Sequence, residues 1–173
     1  EAYLETSEVA PRIQYHNDFT CFHDELNRNS FRKLVLARTI VEKKDEQMNP
    51  RDIFLKACEW YPRSYIALFY TAQTGMWLVA SPEILLRGDA TSYQTMALAG
   101  TMRYEGEEIK WSEKNREEQQ LVADYIRTCL QPFASDITES EPFTSRAAHL
   151  AHLRTDFSFQ LKDTQRLGSF LTA

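Results

Sequence analysis

Apolar positions along this chain fall into runs whose spacing changes from one stretch to the next. Residues 18–30, DFTCFHDELNRNS, place Phe19, Phe22 and Leu26 on one helical face. FRKLVLARTIVEKK follows, apolar on both faces in its middle, which predicts a central strand covered on both sides. On such a strand Lys33 points the same way as Val35 and Ala37. NPRDIFLKACEWYP predicts a helix, with Asn49 as cap and Pro50 in the first turn. Its buried stripe is Ile53, Phe54, Ala57 and Trp60. YIALFYTAQTGMWLVA predicts two strands around a turn containing Gly75. ILLRGD and SYQTMALAGTMRY predict a second pair, turning near Gly88–Asp89. SEKNREEQQLVADYIRTCLQPF is the longest helical pattern, with Ser112 as N-cap. In FTSRAAHLAHLRTDFSFQLK the alternation of Phe157, Phe159 and Leu161 favours a strand. DTQRLGSFLTA reads as a helix start capped by Asp163. The first residues, EAYLETSEVAPR, carry no strong period and fit a strand edge or a lead-in. Helices and hairpin-joined strands are interspersed, so the expected class is α+β with a largely antiparallel sheet.

Composition narrows the partners. The 173 residues carry a net charge of −5, which leaves no basic footprint for nucleic acid or an anionic membrane. No apolar run approaches the roughly 18–20 residues of a bilayer span. Cys21, Cys58 and Cys129 are scattered and without zinc spacing, so reduced thiols in a cytoplasmic protein are expected. The 5 glycines form neither GxGxxG nor a P-loop, and a nucleotide cofactor has no support.

Several residues have a plain reading and a chemical one. Lys33 is either a snorkelling side chain on a strand edge or a partly desolvated general base. Glu83, in ASPEILL, is either a turn carboxylate after Pro82 or a general acid where a strand ends in a cleft. In TMALAGT, strand alternation puts Thr95, Ala97, Ala99 and Thr101 on one face. The small steps Ala99-Gly100-Thr101 fit either a ligand approaching the backbone, with Thr101 binding a carboxylate, or a bulge and close packing. On the helix after Ser112 the apolar stripe runs Val122, Tyr125 and Cys129. Counting back at about 100° per residue puts Glu118 near its centre. A carboxylate there needs a basic or metal partner, unless the helix projects past the core and Glu118 is solvated. His149 and His152 are three apart; they are satisfied structural histidines or neutral imidazoles lining a polar site.

KLVLART, ASPEILL, ALAGT, KNREEQQLV and AHLRT, in this order from about residue 17 to the end, resemble the chorismate-utilising enzymes. That family includes isochorismate synthase, salicylate synthase and the first components of anthranilate and aminodeoxychorismate synthases. The resemblance implies an antiparallel-sheet α/β sandwich of the anthranilate synthase component I type, with chorismate as substrate in a cleft and Mg²⁺ as cofactor. It implies that Lys33 activates water for attack at C2 of chorismate and that Glu83 is the acid helping the C4 hydroxyl leave. It places Ala99, Gly100 and Thr101 in a substrate-contacting strand, makes Glu118 a Mg²⁺ ligand, and puts His152 near the substrate. Ammonia-using members carry another residue at the position of Lys33, and aminodeoxychorismate synthases a nucleophilic lysine where Ala99 stands. A water-using member is therefore implied, isochorismate synthase before salicylate synthase, in menaquinone or siderophore biosynthesis. Ala97 stands where proline is common, and Met102-Arg103-Tyr104 replaces a more usual arginine-proline-arginine. Residues 1–173 are expected to be one incomplete catalytic domain, inactive alone, whose remaining carboxylate-binding and metal-binding residues would follow Ala173. The contrasting expectation is a non-catalytic truncated domain that binds a partner through an unpaired sheet edge.

Overall fold

The computed structural model describes residues 2–43, 45–104, 106, 109–147, 149–164 and 167–171, with side chains from residue 12 onward. Its contacts divide the chain into two compact units, Glu1–Met48 and Asn49–Ala173.

The first unit is led by helix α1, Ala2–Asn27, which takes in the opening residues that carried no strong period. It stops where Asn29 takes φ +58, the left-handed conformation that asparagine tolerates at a helix end. The amide of Ser30 then donates to the Glu25 carbonyl at 3.2 Å. Residues 31–43, expected to be a central strand, form no regular structure. A strand exists by its ladder, and none of the described strands pairs with this stretch. Val35 and Val41 are 77% and 90% exposed.

The second unit follows the sequence pattern more closely. Helix α2, Pro50–Trp60, begins where the Asn49 side chain accepts a hydrogen bond from the Arg51 amide at 3.0 Å. Ala57 is buried, while Trp60, expected on the buried stripe, is mostly exposed with Lys56 over its ring. Strands β1, Tyr65–Thr71, and β2, Gly75–Ser81, pair as a separate two-stranded sheet. Gly75, at φ +80, provides the turn conformation.

The main sheet has five antiparallel strands: β3 (Arg87–Gly88), β4 (Tyr93–Arg103), β5 (Ala134–Glu139), β6 (Phe143–Ala147) and β7 (Leu150–Leu161). Their order is β3-β4-β7-β5, with β6 also pairing β7. The β3–β4 turn is organised by the Asp89 carboxylate, which accepts from the Thr91 and Ser92 amides. Strand β5 carries little periodic signal and was not expected from the pattern. It is held on both flanks: it pairs with the far end of β7, and its Glu139 takes a forked ion pair from Arg127 at 2.8–3.0 Å.

Helix α3, Glu113–Leu130, covers one sheet face, with the Ser112 hydroxyl accepting from the Asn115 amide. The β7 alternation is strict: Ala151, Leu153, Thr155, Phe157 and Phe159 are buried, and the intervening residues are not. Tyr93, Ala97, Ala123, Leu130, Ala134, Phe157 and Phe159 form one core cluster between sheet and helix. A fully buried phenylalanine contributes about 1.5–3 kcal/mol. Helix α4, Leu167–Leu171, sets Phe170 edge-on to Phe133 and Phe159. No helix among the described residues is long and apolar enough to cross a membrane.

Candidate functional site

The geometry turns on Gly100. Strands β4 and β7 pair residue for residue from Tyr93↔Phe159 to Ala99↔Leu153, then resume at Thr101↔His152. Gly100 is the extra residue of a bulge, at φ +69. Paired residues of an antiparallel ladder share a face. The bulge therefore sends Thr101 to the side opposite Ala97 and Ala99, correcting the expectation that all three share one face. Thr101 joins His152, with its hydroxyl 3.0 Å from Nδ1. Ser145 opposes His152 from β6, so a polar row runs Thr101, His152, Ser145 across three strands. Partial burial holds the His152 imidazole below its ordinary pKa, so it is the neutral ring that occupies this row at neutral pH. His149 lies just before β7, where its carbonyl accepts from the Tyr104 amide at 2.8 Å.

The room expected beside Ala99-Gly100-Thr101 is taken by the protein on the other face. A Cβ at Gly100 would lie 3.2 Å from Asn115 of α3. That approach sets the rotation of the helix. Its buried residues are Gln119, Ala123 and Leu130, whereas Tyr125 is 67% exposed. The stripe is thus centred about one residue away from the expected one. Ala123 and Gln119 turn towards the sheet, and the larger Tyr125 turns outward. Glu118 lies beside the stripe, half buried, with Lys114 at 3.9 Å.

Glu83 follows β2 on an exposed turn, where its amide meets the Ser81 hydroxyl at 3.3 Å. The segment after it is tied to β4 by the Thr95 hydroxyl, which donates to the Leu85 carbonyl at 2.8 Å. Pro82 shares a pocket with Ser145 and Arg154, which puts the Glu83 turn beside the face of His152. Lys33 belongs to the first unit, half buried in the irregular stretch rather than on a strand.

Among the described residues no three His, Cys, Asp or Glu side chains group as a metal site. Mg²⁺ commonly takes one or two protein carboxylates, with substrate and water completing its shell. Glu118 meets that minimum and no more.

The pair missed in the sequence is Gln119 with Thr155. Both are buried, and the Gln119 amide donates to the Thr155 hydroxyl at 2.8 Å. This bond satisfies polar groups that would otherwise cost about 1–3 kcal/mol each to bury. Counting back by twos from Phe157 would have put Thr155 in the core and His152 on the opposite face.

Residues 2–173 match the family model described as chorismate binding enzyme, and the chain belongs to that family. Isochorismate synthase MenF of Pasteurella multocida (strain Pm70) is 28% identical over 148 residues, which is 80% of this chain and 34% of the relative. Isochorismate synthase EntC of Escherichia coli (strain K12) is 30% identical over 135 residues, 72% of this chain and 34% of the relative. The chain thus spans about a third of the length of the curated relatives it matches. Among solved structures, DhbC from Bacillus anthracis superposes with a TM-score of 0.63 at 18% identity, over 72% of this chain and 37% of that one. That likeness carries the mixed helix and antiparallel-sheet fold.

Proposed function

We propose that the full-length protein is an isochorismate synthase, converting chorismate to isochorismate. The observation that carries this reading is the family match over residues 2–173, joined to relatives that are themselves named isochorismate synthases. Lys33, the residue that separates water-using from ammonia-using members, agrees with it.

Lys33, in its neutral form, takes a proton from water as the oxygen attacks C2 of the ring. The ring double bonds shift, and Glu83 gives a proton to the C4 hydroxyl, which leaves as water. One water enters and one departs, so the product is an isomer. Thr101 and His152 form a donor–acceptor pair for a polar group of the substrate, oriented by the Gly100 bulge. Ala99 and Gly100 support that edge from behind. Mg²⁺, with Glu118 as one ligand, would neutralise a substrate carboxylate. The product would serve menaquinone or siderophore biosynthesis in the cytoplasm, and residues 1–173 alone would be inactive.

Full-length protein supplied with chorismate and Mg²⁺, with products separated by chromatography, tests the reading. Isochorismate is expected. Salicylate with pyruvate would replace it by the salicylate synthase reading, and no turnover by a non-catalytic one. Lys33→Ala should lower kcat by roughly 10²–10⁴, the usual contribution of a general base, with KM little changed. Near-normal turnover in that variant would remove Lys33 from the mechanism.

A further inference from the structure

Along β6 the second unit holds a pocket of about 260 Å³, lined among others by Arg63, Pro82, Thr144, Ser145, Arg146 and Arg154. A hollow of about 270 Å³ shares Arg63 and Arg146 with it and adds Trp60 and Tyr61. Among the described residues three guanidinium groups line the first pocket and no carboxylate does, in a chain whose net charge is −5.

The three arginines are not equivalent. Arg154 is bonded to Asp156 at 2.6 Å, so most of its charge is balanced. Neither Arg63 nor Arg146 has a carboxylate partner among the described residues. Arg146 instead lies over the Tyr104 ring at 3.7 Å. Stacking fixes the guanidinium plane and leaves its N–H edge open to an acceptor. The Thr144 hydroxyl accepts from the Trp111 indole at 2.8 Å, so its own proton is available to donate. A stacked guanidinium, a second arginine and a hydroxyl donor, with no carboxylate among the described lining residues, are the complement of a small dianion. The volume, just under the roughly 300 Å³ of ordinary ligand pockets, suits a small-molecule guest.

We infer that this pocket binds a small dianion, a dicarboxylate or a phosphate, through Arg63, Arg146 and Thr144. Its lining adjoins the Glu83 turn at Pro82 and the polar row at Ser145, but the inference rests on Arg63, Arg146 and Thr144 and not on the roles given to Lys33, Glu83 or Glu118.

Calorimetric titration of the full-length protein tests it, with malonate in one arm and inorganic phosphate in the other, at constant ionic strength set by sodium chloride. Saturable one-to-one binding of at least one anion is expected. Malonate alone would identify a dicarboxylate site, and phosphate alone a phosphate site. Arg63→Gln and Arg146→Gln should each weaken binding roughly tenfold or more, because each removes a charge-assisted contact. Arg51→Gln, an exposed arginine on α2, should leave it unchanged. Saturation by neither anion would overturn the inference, and so would undiminished affinity in both pocket variants.

Discussion

The β4–β7 pair and residues 31–43 are written in similar residues, yet they end in opposite environments. Ala97 and Phe157 are 0% exposed, whereas Val35 and Val41 are 77% and 90% exposed. Both stretches are rich in aliphatic side chains, and both read as strands. The difference lies in the backbone. Every turn of the β4 pleat meets β7, and α3 closes the face behind them. Residues 31–43 have no ladder among the described strands. Apolar content states what a segment can bury, but the burial is realised only where another strand takes up its amides and carbonyls.

The largest test of that contrast is a set of three truncations. Phe157→Ala should destabilise the second unit by about 3–5 kcal/mol, since it empties a fully enclosed site. Val35→Ala and Val41→Ala should each stay within about 0.5 kcal/mol, as for surface positions generally. Urea unfolding followed by tryptophan fluorescence measures all three. A cost for Val41→Ala approaching that of Phe157→Ala would mean that the 31–43 stretch is buried in solution, and the contrast would fail.

Much of the second unit was legible because its signals are local. Asn49 and Ser112 cap the helices as expected, Gly75 and Asp89 mark the turns, and Phe157, Phe159 and Leu161 give the phase of β7. What escaped depended on distant partners. Strand β5 is defined by β7 and Arg127 rather than by its own pattern. The rotation of α3 was misjudged because Tyr125 outweighs Ala123 in apolar content, although it is the smaller residue that packs into the core with Ala97. Of the candidate site, the types and order of Lys33, Glu83, Thr101, Glu118 and His152 were readable. The face that Thr101 occupies was not, because one extra residue in a ladder reverses every side chain beyond it.

Gly100→Ala sharpens the contrast at an intermediate scale, because it attacks the bulge rather than the core. Alanine at φ +69 pays the left-handed penalty of about 1–2 kcal/mol, and its Cβ would also press on Asn115 at 3.2 Å. Gly75→Ala is the internal reference, since φ is +80 there and nothing lies within 4 Å. Gly100→Ala should therefore cost more than Gly75→Ala, and the excess measures how closely α3 is held to β4. Equal costs would mean that the helix gives way freely, and that the bulge alone orients Thr101.

The smallest effect expected is a pH dependence carried by His152. Its ordinary pKa is 6.5, and partial burial lowers it in the folded protein. As the pH falls, the unfolded chain therefore takes up this proton first. The stability gained from keeping the ring neutral is complete above 6.5 and is lost as the pH falls towards the folded value. His152→Gln cannot titrate, so its stability should fall less than the parent's between about pH 7.5 and about pH 5.5. The other carboxylates and histidines are common to both proteins and cancel in that difference. A parent that lost no more stability than the variant would show that His152 is as well solvated as the residues of the 31–43 stretch. The His152 end of its hydrogen bond to Thr101 would then be as open to water as the exposed Thr101 hydroxyl already is.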